Sequence, residues 1–344
     1  MAENVLNLPR AAGAGRPTVA ASPAARLSRA LALLGGRLAR LLDGLSPGAH
    51  GPRDGQAAAA DTGAADTLAG SRAFLDAMAD AWAAGPGVDS GLPAGRGTGL
   101  DRSAAGPPQP IDLLTWGLGL TATELELMLL AAMADEHEGY ASVLRALNPR
   151  GEARPVVGLA AQLLCADAAG REALRAALLG GAACRHGVLA LAGDGGLYEQ
   201  ALVLAPGLWP VLGGVDVWPP ELQPLAPDGL GAGLDDWLAS TPVRRAALAL
   251  LDDAPRVIVV SAESEDIALE RAAALCRHAG VRHAALAPPA PAHLSLARVH
   301  ALARGAVLLL RAGGGEGGAA PGGPPVSGGT AAGADGFPGV LVWC

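Results

Sequence analysis

Arg256-Val-Ile-Val-Val-Ser261, running straight into Ala262-Glu-Ser-Glu-Asp266, is the stretch on which the fold of this chain turns. A β-branched run flanked by turn residues and charges reads as a buried strand. Glu265–Ala279 then carries a helical pattern as far as Gly280. Val281–Ala287 reads as a second strand, stopped by Pro288-Pro289, and His293–Arg304 as a second helix, ended by Gly305. Ala306–Leu310 is fully apolar, which suits a central strand of a parallel sheet. Residues 312–336 form a low-complexity insert with eleven Gly and three Pro, and Gly339–Trp343 is a fourth strand. Strands alternating with helices imply a parallel α/β sheet with right-handed crossovers over residues 221–344.

Upstream, residues 111–220 have a different rhythm. Thr121-Ala-Thr-Glu124 is a capping box set directly before an apolar run at helical spacing: Leu125, Met128, Leu129, Ala132 and Met133. Further helices fit Gly139–Leu147, Val156–Leu164 and Arg171–Leu179. Two short apolar runs follow, Val188–Ala192 and Ala201–Ala205, with the turn signal Gly193-Asp-Gly-Gly196 after the first. A short helix at Leu208–Leu212 closes the unit before Pro219-Pro220. Several helices followed by a β-hairpin is the order of a winged helix, so this part is expected to be α+β.

Residues 1–110 read as a low-complexity arm with two helices, at about 24–43 and 67–84, between stretches rich in Gly, Ala and Pro that are expected to be disordered. In the first helix Arg26, Arg29, Arg37 and Arg40 share one arc, and Leu27, Leu31, Leu34, Leu38, Leu41 and Leu42 another. Such a helix either meets a partner or membrane surface, or packs its leucines on the body of the protein; packing is the expectation. Gly35-Gly36 weakens it by roughly 1 kcal/mol per glycine. In the second helix Phe74, Leu75, Met78 and Trp82 fall at helical spacing.

Composition removes several chemistries. All 25 basic residues among the 344 are arginine. The P-loop lysine, a Schiff-base lysine and a Ser-Lys dyad are therefore excluded. A net charge of −8 argues against a general nucleic-acid binder, although local basic patches remain open. Cys165, Cys184, Cys276 and Cys344 show no Cys-x-x-Cys spacing and suggest neither a disulfide framework nor a zinc site. The N-terminal residues lack the charged-then-apolar layout of a signal peptide, and no run approaches about 18 uninterrupted apolar residues. A cytoplasmic location is expected.

Other constellations are weak. Asp135-Glu-His-Glu138 resembles a helicase acidic box, but it ends a helix and no P-loop precedes it. Cys276, His278 and His283 lack a fourth metal ligand. His293 and His300 lie seven apart on one helix face that is expected to be partly solvated. Gly87-Val-Asp-Ser-Gly91 has the wrong spacing for a nucleophile elbow. Asp235-Asp236 and Asp252-Asp253 fit helix ends or loops, and Trp209 and Trp218 fit packing within the helical unit. No catalytic, cofactor-binding or metal-binding residue is expected.

Taken together, Leu118–Leu130, Arg154–Ala160, the Asp194–Gly196 turn, Arg256–Ser261 and Gly305–Arg311 resemble bacterial AAA+ ATPases that carry an N-terminal winged helix, a type often encoded with contractile injection systems. The resemblance covers residues 111–344. It implies a winged-helix domain at 111–220 and an AAA-like domain at 221–344. An intact member of this family uses ATP and magnesium. This chain departs from it at the chemistry. A P-loop needs glycines and a lysine to cradle phosphate. Here Ala262, Glu263, Ser264, Glu265 and Asp266 follow the first strand, and Arg311 follows Leu310 where a magnesium-holding acid belongs. The resemblance thus implies a degenerate, truncated module that ends on a bare strand at Trp343-Cys344. Its function is that of a regulatory adaptor with protein partners, an AAA+ module among them, or with self-association. Two alternatives are a winged-helix DNA-binding regulator with an α/β sensing domain, and an AAA+ fragment that retains ATP binding. As a DNA reader it would use Val156–Leu164, whose one polar side chain is Gln162.

Overall fold

The computed structural model describes residues 22–45, 61–83, 107–226, 233–251, 256–287, 289–310 and 340–343. Helices predominate, and the strands form one hairpin and one small parallel sheet. The chain opens with α1 (Pro23–Leu45) and α2 (Asp61–Ala83). Leu27, Leu31, Leu34, Leu38 and Leu42 of α1 are all buried in the main core. Two arginines of the basic arc are held as well: Arg26 meets Asp112 at 2.7 Å and Arg37 meets Glu126 at 2.7 Å. This helix is a structural member of the body, and its leucine face is not free for a partner or a membrane. On α2, Leu75 is buried and Phe74 packs edge-on to Tyr140, with ring centroids 5.2 Å apart.

Six helices follow: α3 (Pro110–Leu118), α4 (Ala122–Glu136), α5 (Glu138–Leu147), α6 (Val157–Leu164), α7 (Ala168–Gly180) and the single turn α8 (Ala182–Arg185). The Thr121/Glu124 capping box starts α4, with Glu124 accepting from the Thr121 N–H at 2.8 Å. Asp167 caps α7 by accepting from the Gly170 N–H at 2.8 Å. Strands β1 (Leu189–Ala192) and β2 (Ala201–Leu204) pair antiparallel, with Leu189 opposite Leu204. Val156 adds a third, one-residue rung through a bridge to Ala201. Helix α9 (Leu208–Leu212) then turns the chain toward the sheet.

Beyond it lie α10 (Asp235–Ala239) and α11 (Thr241–Leu250), then β3 (Arg256–Val259), α12 (Glu265–His278), β4 (Arg282–Leu286), α13 (Leu294–Ala303), β5 (Ala306–Leu310) and β6 (Val340–Trp343). All four strands are parallel, in the order β3-β6-β5-β4. The bare terminal strand expected at Trp343 is therefore an inner one: β6 slots between β3 and β5. Leu308 and Leu310 face the main core, while Leu309 faces a second core built by α11 and α12. Strand β5 is thus covered on both faces, as an inner parallel strand requires. The buried strand expected at Arg256–Val260 is corrected: β3 is an edge strand that leaves Val257 and Val259 40% and 70% exposed. The outer edge of β4 is closed by residues 223–225, where the Leu225 N–H donates to the Ala285 carbonyl at 2.9 Å.

Helix α13 joins the two halves. Ala297, Val299 and His300 have no exposed surface, because α13 lies between the sheet and helices α3 and α9. A helix apolar on nearly every side belongs in a core.

Candidate functional site

In a parallel sheet, ligands collect beyond the carboxyl ends of the strands. Here that region opens at the turn from β3 into α12. Val260 is buried, and residues 261–267 are largely exposed. Ser264 caps α12, its Oγ accepting from the Ile267 N–H at 3.3 Å. Glu265 and Asp266 occupy the first turn, Arg277 and His278 the last, so the charges complement the helix dipole at both ends.

One guanidinium fills the turn from behind. Arg271 donates from one terminal nitrogen to the Ser261 carbonyl at 3.4 Å, and its other terminal nitrogen lies 3.6 Å from Glu263. The same group stands 5.9 Å from the Trp237 ring centre on α10. A phosphate placed here would meet carboxylates first, with no glycine-lined backbone to receive it. The arrangement does not suit an anionic nucleotide.

A denser polar cluster, not expected from the sequence, ties α13 to the segment after α9. The Arg304 Nε donates to Asp216 at 2.8 Å, and its terminal nitrogens donate to the Val217 carbonyl at 2.7 Å and the His300 carbonyl at 3.1 Å. Its guanidinium lies 3.9 Å over the Trp218 ring. His300 is fully buried, with its Nε2 at 2.9 Å from the Pro206 carbonyl and its Nδ1 at 3.1 Å from Arg304. The carbonyl requires Nε2 to carry the proton, leaving Nδ1 to accept. Burial, against the opposing hydrogen bond to the Pro206 carbonyl and with a smaller push from Arg304, holds the His300 imidazole down at about 4. The partly solvated face expected for His300 is corrected: His293 is half-buried, but His300 is sealed. The available signal was the i, i+4 pair His300 and Arg304 just before the helix-ending Gly305. Trp218 packs against the main core and stacks on His300 of α13, with ring centroids 5.7 Å apart.

Several of the remaining constellations make contacts within the fold. Glu136 accepts from Ser28 at 3.0 Å and from Trp209 Nε1 at 2.9 Å, and His137 caps α5 by accepting from the Gly139 N–H at 2.9 Å. Cys276 is buried in the second core, and among the described residues no cluster of His, Cys, Asp or Glu could hold a metal. Burial pushes the Cys165 and Cys184 thiols up, away from the reactive thiolate. Asp235 and Asp236 begin α10. Asp252-Asp253, residues 87–91, the 312–336 insert, Arg311 and Cys344 lie outside the described residues.

Val156–Leu164, the segment that a DNA reader would use, forms α6 and turns mostly inward. Val157, Leu159, Ala160 and Ala161 of α6 are buried. After the short turn Cys165–Asp167, the outward helix is α7, which exposes Arg171, Glu172, Arg175 and Leu179.

No helix among the described residues is long and apolar enough to cross a membrane. No family model, curated protein or solved structure matches the chain.

Proposed function

We propose that this chain is a non-catalytic adaptor: a winged helix joined to a pseudo-ATPase module that packs against a catalytic AAA+ module, in the same chain or another. One observation carries the AAA-like part. In AAA+ sheets the strand before the phosphate loop is parted from the third strand by the fourth, and β3-β6-β5-β4 has that order. At the position of the loop stand Glu263, Glu265 and Asp266, with Arg271 folded back onto Glu263 and the Ser261 carbonyl. The winged-helix part is supported by helices α6 and α7 followed, after the single turn α8, by the hairpin β1-β2, and by the Val156 rung on that hairpin. Purified chain is expected to show neither magnesium-dependent ATP hydrolysis nor saturable binding of a fluorescent ATP analogue. Either activity refutes the reading and moves the chain to the ATP-binding alternative.

The exposed arginines of α7 favour a second reading, DNA binding by the winged helix. Sequence-specific, salt-sensitive retention of duplex DNA would support it.

A further inference from the structure

Two exposed surfaces of this chain match each other in charge and hydrophobicity. On α7, Arg171, Arg175 and Leu179 recur every four residues and form one outward stripe about 12 Å long. Leu179 is 73% exposed, the most exposed of the large apolar side chains among the described residues. None of the ion pairs among the described residues uses Arg171 or Arg175. The entry to α12 is the counterpart. Glu263, Glu265 and Asp266 are exposed there, and Ile267 stands among them at 38% exposure.

We propose that the Arg171–Arg175–Leu179 stripe of α7 docks on the acidic, isoleucine-bearing entry to α12 of a second copy of this chain. The two patches differ, so the contact is heterologous and each copy can donate one patch and accept on the other. The association weakens as salt rises, because the charges are solvent-exposed. A duplex suits the α7 surface less well. Leu179 at the end of the stripe offers a phosphate nothing, and on the hairpin Arg150 is already engaged by Glu199 at 3.5 Å. The proposal does not depend on the adaptor reading: it rests on exposed side chains and holds whatever the ancestry of the sheet.

Sedimentation velocity across a concentration series of the full chain tests it. The wild type is expected to exceed monomer mass at high concentration and to dissociate as salt rises. Arg171→Glu with Arg175→Glu, and separately Glu263→Arg with Glu265→Arg, each weaken association by about tenfold or more. Mixing the two reversed chains restores it, since each then offers the other a complementary surface. Leu179→Ser, which adds no charge beside the arginines, also weakens it, and circular dichroism melts confirm that every variant is folded. A wild type that stays monomeric throughout overturns the proposal, as does association undiminished in both reversed chains. Failure of the mixture to associate does the same. Retention of duplex DNA by a monomeric wild type, lost in the arginine-reversed chain, also overturns it and assigns α7 to nucleic acid.

Discussion

The guanidinium of Arg304 lies 3.9 Å over the ring of Trp218 while donating to Asp216, to the Val217 carbonyl and to the His300 carbonyl. One side chain at the C-cap of α13 thus fixes the segment that leads from the helical unit to the sheet. Asp216 is 78% exposed, so its ion pair contributes little. The stacking and the two carbonyl bonds dominate. Arg304→Ala is expected to cost about 2–3 kcal/mol. Arg304→Lys should recover only part of this, since an ammonium cannot reproduce the planar fork. Urea unfolding checks both, and changed Trp218 emission should accompany the loss.

His300 makes stability depend on pH. Its folded imidazole titrates at about 4, below the ordinary 6.5, because it is buried. The unfolded chain therefore binds a proton between those values that the folded chain refuses. The contribution is full above about pH 6.5, falls as pH drops toward about 4, and levels off below. By pH 5 the loss from this one group is about 2 kcal/mol. Burial also lowers His186 and His283, which act in the same direction. Urea midpoints at pH 7 and pH 5 should therefore differ more for the wild type than for His300→Gln. Equal differences would contradict the assignment.

Glu124 caps two helices with one buried carboxylate. One oxygen accepts from the Thr121 N–H and hydroxyl, both at 2.8 Å, and the other from the Ala183 N–H of α8 at 2.8 Å. Gly181 leaves the room for this approach: a Cβ there would press on the Ala177 carbonyl and on the Glu124 carboxylate. Glu124→Ala is expected to cost about 2–4 kcal/mol, since it strands buried donors, and Gly181→Ala more than about 2 kcal/mol. Because the two share one carboxylate, the double variant should cost less than the sum. Thermal unfolding of the set measures that shortfall.

The same residues show what the sequence could disclose. Thr121-x-x-Glu124 announces a helix start through local chemistry, but the reach of Glu124 to Ala183 depends on a fold that brings positions 59 residues apart together. The four strands of the sheet were legible as apolar runs, whereas the place of β6 between β3 and β5 was not. Strand order is a tertiary choice that β-branched runs do not encode. Helix α3 goes unmarked in the sequence reading, although Pro110 at its first position and Asp112 two residues on are its signal: Asp112 accepts from the Gln109 N–H at 3.0 Å. Helix α11 was passed over despite Pro242 near its start and Val243, Ala247 and Leu250 on one buried face. At the candidate site the sequence showed the carboxylates but not Arg271, because its return to Ser261 is made by the helix turn.

Gly36 offers a gain in stability. It sits inside α1 with helical neighbours on both sides, and a Cβ built on it meets nothing within 4 Å. Glycine there carries an entropic cost with no packing return. Gly36→Ala is therefore expected to stabilise the chain by about 0.5–1 kcal/mol. Its neighbour differs: at Gly35 an added Cβ would lie 3.6 Å from Leu75 and from Tyr140, at ordinary contact distance. Gly35→Ala should gain the same helix propensity and add contact between α1 and α2. Because α1 is anchored in the main core, both gains should appear in the global unfolding transition. If α1 instead frayed independently of the body, Gly36→Ala would slow hydrogen exchange in α1 alone and leave the urea midpoint unmoved.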